Sequence, residues 1–363
     1  MQGAFSKKLH APYLVRQIHF IDSKEAYMEL LTTESRGGII ENRHYGIICV
    51  VDENGIVSHV GNPDTVVYFR SSSKPIQALP LLLMGLDKKY GLSDIECAIM
   101  AGSNAGEPEC TAVVESLMEK AGIREEDFVL GAHYPDHPGS RDAAVCAGLP
   151  PRKVWHGCAP KHVATMLMQR ELTGSIKNYH LPESAAQRLI RHTMALFSET
   201  PYNKIAIGID GCGVPVFGVP AYKMAKAYFH LACPETLGEP CFAAAAVRMI
   251  DLMHQYPIGI RGNDYLCTML NTFPNVVAKG GASGVYAFGL KKERLGMMLK
   301  IMDGTETSWQ IVIREILRQV SPEINAGLIE TLENTDFIGM IRKNITNAAG
   351  ETVGTMEPMF VLR

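Results

Sequence analysis

Hydrophobic and polar positions change their period along the chain. From Gly46 the runs GIICVV and IVSHV flank a turn containing Asn54-Gly55, which predicts a β-hairpin. The far end repeats the device: DFIGMIRKNI over 336–345, a turn at NAAGE and TVGTMEPMFVL over 352–362 predict a second antiparallel hairpin. Between them a helical period runs over 109–120, 161–171, 183–198, 242–254 and 307–320, with several stretches opened by Pro and closed near Gly. Strands at both ends around helices do not make a βαβ alternation. The pattern predicts an α+β fold, an antiparallel sheet flanked by helices, with both ends of the chain in that sheet. Periodicity begins near Met28, so residues 1–27 read as an N-terminal extension and 28–363 as one main domain without repeat or linker.

Composition narrows the class. Of 363 residues 47% are apolar and 20% charged, ordinary for a globular protein, which excludes a disordered or fibrous chain. A net charge of −3 with no dense basic cluster gives no footprint for nucleic acid or for an anionic membrane, so the expected partner is a small molecule. There is no run of eighteen apolar residues and no signal-like start, which predicts a cytoplasmic protein. Nine cysteines without regular spacing suit reduced thiols rather than a disulfide framework.

Glycine and proline gather in short clusters, and candidate chemistry lies in or beside them. In Arg70-Ser71-Ser72-Ser73-Lys74-Pro75, Ser71 and Lys74 stand at i, i+3 ahead of an apolar run that predicts a buried helix starting near Ser71. Burial and the positive helix end lower a lysine pKa, leaving an amine able to take a serine proton. The plain alternative is a helix capped by serine, since S-x-x-K is short and frequent, and Ser72 and Ser73 compete as nucleophiles. Ala101–Pro108 could present Ser103 and backbone N–H groups to a polar ligand, or simply cap the next helix through Glu107-Pro108. Cys158 in HGCAPKH and Cys212 in IDGCGVP could share a tetrahedral metal site, or be small buried hydrophobes. In VAKGGASGVY, Lys279 could bind a carboxylate or keep Lys74 neutral by repulsion; the bland reading is a solvated surface lysine. Neither phosphate-loop spacing is met there.

Taken in order, Arg70-Ser71-x-x-Lys74-Pro75, Ser103-x-x-Gly106-Glu107, Cys158-x-x-Lys161-His162, Asp210-Gly211-Cys212-Gly213 and Ala278-Lys279-Gly280-Gly281-Ala282 resemble the Rhizobium-etli-type L-asparaginases, with the match spanning about 34–363. The segment SRGGIIENRHYG from Ser35 is similar to that family's opening. The resemblance implies a serine β-lactamase/glutaminase-like fold, a homodimer, and hydrolysis of L-asparagine to L-aspartate and ammonia. It implies Ser71 as nucleophile and Lys74 as its base, with Ser103 and Lys279 completing two linked Ser-Lys pairs. Arg70, Asp210, His162, Gly106 and Glu107 would bind substrate, and zinc would sit on Cys158, Lys161 and Cys212. The chain departs from the family at Gly157, Ala159 and Pro160 around the cysteine, and at Ser283, where an acidic residue is common. Other readings are an amidase acting on glutamine or another small amide, and a non-catalytic amino-acid-binding homologue.

Overall fold

The computed structural model describes residues 28–363; the predicted extension 1–27 lies outside the described residues. The strands are β1 (Glu29–Arg36), β2 (Ile39–Val51), β3 (Ile56–Val60), β4 (Val66–Tyr68), β5 (Ala206–Ile209), β6 (Pro215–Pro220), β7 (Val276–Gly280), β8 (Val285–Leu290), β9 (Leu295–Ile301), β10 (Asn344–Thr346) and β11 (Thr352–Pro358). The main sheet runs β10-β11-β1-β2-β9-β8-β7, and β3 also pairs with β2. Every pairing is antiparallel. The fold is therefore α+β, and β1 pairs with β11 over Thr32–Arg36, so both hairpins share one sheet as the pattern predicts.

β2 is long because it serves two neighbours on one edge: its first half pairs with β1 and its second with β3, while β9 takes the other edge. The hairpin turn is the expected one, with Asp52 Oδ1 accepting the N–H groups of Asn54 and Gly55. The helix Ala221–Ala232 lies across the sheet, so tightly that a Cβ on Gly296 would stand 2.1 Å from the Ala225 carbonyl oxygen. Glycine is required there by close approach, not by a turn.

Helices Pro108–Ala121, Ala159–Thr173, Ala185–Phe197, Pro240–Gln255 and Trp309–Val320 match the five periodic stretches within a few residues. Ala159–Thr173, Ala185–Phe197 and Pro240–Gln255 pack against the helix Lys74–Leu83, of which only Leu83 escapes full burial. Among the described residues no helix is long and apolar enough to cross a membrane.

Three expectations need correction. The middle, expected to be mainly helical, also holds strands: β4, β6 and β5 make a second antiparallel sheet, and β7 to β9 build the main sheet between the terminal hairpins. The C-terminal hairpin is shorter than its pattern, because at Gly339 (φ +77°) the chain leaves the extended form. Residues ahead of β10 bond to loops instead, with Ile338 N–H on the Asp264 carbonyl and Ile341 N–H on that of Thr307. Finally, the α-helix begins at Lys74 and not near Ser71; Arg70–Ser73 form a 3-10 turn ahead of it.

Candidate active site

The 3-10 turn sorts the three serines. Ser72 Oγ donates to the Phe69 carbonyl at 2.6 Å and Ser73 Oγ to that of Arg70 at 2.8 Å, so both hydroxyls are spent on the backbone. Ser71 keeps its hydroxyl free and lines a cleft of about 380 Å³. The Lys74 N–H closes the turn on the Ser71 carbonyl, and both residues line the same cleft. The turn is pinned by the helix on the sheet, through Tyr228 Oη donating to the Ser72 carbonyl at 2.7 Å. Arg70 takes φ +52°, a left-handed conformation that a non-glycine residue holds only when its surroundings fix it.

What fixes Arg70 is the β5–β6 turn. Its guanidinium pairs with the Asp210 carboxylate at 2.9 Å and donates through Nη1 to Ser283 Oγ at 2.8 Å. Asp210 ends β5 and is held by backbone bonds with Val214 and Gly213, so the turn carrying Cys212 is fixed against the mouth of the cleft.

Lys74 is fully buried and lines the cleft; Nζ donates to Ser103 Oγ at 2.8 Å and to the Gly157 carbonyl at 2.8 Å. Burial holds its pKa below the usual lysine value, Lys161 adds repulsion, and the nearby thiols oppose both. Ser103 is placed by its N–H on the Ile260 carbonyl and by the turn that Asn104 closes on Gly106. Lys279, on β7, is also buried and donates to the Gly280 carbonyl; burial first, then Lys74 and Arg261, push its pKa down to about 8. The sequence's bland reading of Lys279 as a solvated surface residue is thereby overturned.

Behind these groups the two cysteines meet. Cys158, ahead of the helix Ala159–Thr173, and Cys212 are both buried and line the cleft together; Lys161 Nζ lies 3.5 Å from Cys212 Sγ. Cys158 is drawn strongly toward its thiolate by the Cys212 thiol and then by Lys74 and Lys161. Pro160 falls in the first turn of its helix, where a missing N–H costs least. Among the described residues no group of three or more His, Cys, Asp or Glu side chains is placed to hold a metal. The cysteine pair would have to enlist Lys161.

Of the five substrate-binding candidates only Arg70 and Asp210 line the cleft. Glu107 is buried and turned to Asn263, whose N–H and Nδ2 it accepts at 3.0 and 2.9 Å. Gly106 (φ +80°) packs on Pro135. His162 is fully buried with Nδ1 at 2.8 Å from Tyr179 Oη. That hydroxyl also accepts the Val129 N–H, and the buried Nε2 of His162 has no partner among the described residues. These three residues shape the walls behind the cleft rather than its lining.

The cleft also contains Asp136, His156, Arg261, Cys267, Glu306 and Trp309, none of which the sequence singled out. His156 opens the HGCAPKH segment and Asp136 lies between Pro135 and Pro138; the others come from segments that read as core or plain loop. Glu306 accepts the Ser283 N–H at 3.1 Å, and burial raises its pKa against the pull of Arg261, Lys279 and Arg70. A carboxyl thus stands beside Ser283, supplied from a different segment of the chain.

Comparison with known proteins agrees with this chemistry at the level of family. The sequence profile described as L-asparaginase II matches residues 33–358. No curated protein matches the chain significantly. Among solved structures it is similar to a probable glutaminase from Bacillus subtilis complexed with 6-diazo-5-oxo-L-norleucine, at 13% identity and a TM-score of 0.32, over 76% of this chain and 83% of that one. It is also similar to a putative β-lactamase from Bacteroides dorei DSM 17855, at 15% identity and a TM-score of 0.37, over 70% and 84%. Overlaps this partial decide nothing about the substrate.

Proposed function

Since the chain belongs to the L-asparaginase II family and is an amidohydrolase, we propose that it hydrolyses L-asparagine to L-aspartate and ammonia through an acyl-enzyme on Ser71. The observation that carries this reading is one cleft lined by a serine with a free hydroxyl, a second serine, and two buried lysines. Neutral Lys74 takes the Ser71 proton as Oγ attacks the amide carbon. The Ser71 N–H, in the first turn of the 3-10 segment, has no acceptor within that turn and serves as an oxyanion donor; losing such a donor typically costs about 3–4 kcal/mol of barrier. Ser103, bonded to Lys74, relays the proton to the departing nitrogen, with Lys279 as the second amine of the tandem. Arg70 and Asp210 offer one positive and one negative partner for the α-carboxylate and α-ammonium groups.

Zinc belongs to the same proposal, held by Cys158, Lys161 and Cys212. A tetrahedral zinc with sulfur and nitrogen ligands has an S···N edge of about 3.6 Å, from bond lengths of about 2.3 and 2.0–2.1 Å. The Lys161–Cys212 distance of 3.5 Å fits it. Zinc there would supply Lewis acidity to a polar substrate group and favour deprotonated ligands. Cys212→Ser is expected to lower bound zinc, read by elemental analysis of the purified protein. The reading also includes a cytoplasmic homodimer, with the nine cysteines, all unpaired, suited to a reducing compartment.

The test is release of ammonia and aspartate from L-asparagine, with L-glutamine and D-asparagine in parallel. Ser71→Ala should abolish turnover with the fold intact, while Ser72→Ala should leave it within a few-fold. Activity of Ser71→Ala close to the wild type would refute the nucleophile, and no ammonia from L-asparagine would refute the substrate.

A further inference from the structure

The catalytic cleft does not end at Lys279. A second cavity of about 300 Å³ shares Asp136, Arg261, Cys267, Glu306 and Trp309 with it and continues between Tyr265, Leu266, Tyr286, Ile338 and Met340. Gly280, beside Lys279, lines the cleft and backs onto the annex wall. A Cβ on Gly280 would lie 3.0 Å from the Tyr286 ring and 3.2 Å from the Trp309 ring, so the strand runs tight against the annex wall there. Arg70, Asp210, Cys158 and Cys212 line the cleft alone, which puts the groups suited to the α-substituents away from the annex.

Apart from the shared Asp136, Arg261 and Glu306, its surfaces are aromatic and apolar. Tyr286 and Trp309 meet edge to face at 5.1 Å, and the Arg261 guanidinium stacks over the Tyr265 ring at 4.8 Å. The Tyr286 hydroxyl is satisfied by Cys267 Sγ at 3.2 Å. The Trp309 ring lines both cavities. An apolar cavity of about 150 Å³ already suffices for a benzene ring, so the annex has room for a substituted ring that asparagine lacks.

Resting on the reading of the cleft as an asparaginase site, we propose that the annex is a leaving-group subsite. It takes an aromatic or apolar substituent on the amide nitrogen, so that the enzyme also hydrolyses secondary β-amides of L-aspartate. The chemistry balances as for asparagine. Ser71 Oγ bonds to the β-carbonyl carbon, the C–N bond breaks, and the serine proton ends on the nitrogen, which leaves as a primary amine in place of ammonia. Water then cleaves the ester, its oxygen entering the aspartate carboxylate and one proton returning to Oγ.

The experiment follows the full-length protein with L-asparagine and with L-aspartic acid β-anilide, measuring ammonia, aniline and aspartate. Met340, which lines only the annex, is replaced by Trp to fill it, and Ile338→Phe serves if that variant does not fold. Aniline release by the wild type, with kcat/KM for the anilide falling more than tenfold in the filled variant and that for asparagine staying within twofold, is expected. Turnover of asparagine without any aniline overturns the subsite and leaves the asparaginase reading standing. Aniline without ammonia overturns asparagine as substrate and keeps the subsite. Equal losses for both amides in the filled variants, or none, overturn the subsite, and no turnover of either amide overturns both readings.

Discussion

Two buried lysines within one cleft set the chemistry at the scale of the residue. Neither sits beside a carboxylate that would hold its proton: Lys74 bonds a hydroxyl and a carbonyl, and Lys279 a carbonyl. For Lys279, whose pKa burial pushes down to about 8, the sign of both consequences follows. As a neutral amine it serves catalysis, so its contribution to turnover should rise as pH climbs through about 8 and then level. Its contribution to stability is full above the usual lysine pKa and is lost as pH falls toward 8, because there the unfolded chain binds the proton more readily. Lys279→Met should therefore lower turnover at all pH values and remove that rise in stability, as denaturant unfolding across a pH series would read.

The decisive element is the helix Ala221–Ala232, seated on β8 and β9 without side chains between them at Gly289 and Gly296. In Gly296→Ala the new methyl would lie 2.1 Å from the Ala225 oxygen and 2.3 Å from the Phe229 nitrogen, backbone atoms that cannot rotate away. Overpacking of this kind costs about 1–3 kcal/mol. Because Tyr228 on that helix holds the Ser72 carbonyl, the displaced helix should also loosen the nucleophile's turn. A lower unfolding midpoint together with reduced kcat is the expected result; lower stability with unchanged kcat would separate the two. Helices such as Pro108–Ala121 were legible from their proline starts, glycine ends and 3.6-residue period, which are local signals. The sheet of β4, β6 and β5 was not, since its strands are short and the β4–β6 pairing joins residues about 150 positions apart. The cleft divides the same way. Ser71, Lys74, Ser103, Cys158, Asp210, Cys212 and Lys279 lie in or beside tight turns that glycine and proline mark, whereas Arg261, Glu306 and Trp309 reach it from segments with no local peculiarity.

At the scale of the whole molecule, His44 joins the sheet to the active-site loop. Its ring lies 3.1 Å from Glu34 on β1 and 2.6 Å from Asp303, three residues before Glu306. Burial alone would lower its pKa, but the bonds to Asp303 and Glu34 outweigh burial and raise it above 6.5. The stability this clasp adds is full below the ordinary histidine pKa and is lost as pH rises through the raised value. His44→Gln should thus cost more stability near about pH 6 than near about pH 9, as thermal unfolding at the two would measure. The pairing of β1 with β11 reaches further, into the order of events at the ribosome. One edge of β1 finds its partner only when residues 352–358 emerge, and at about 5–20 residues per second that strand waits on the order of 15–60 s. Through that interval the nascent chain offers an open strand to any neighbour, which makes a holding chaperone, rather than intrinsic speed, the natural guardian of its yield.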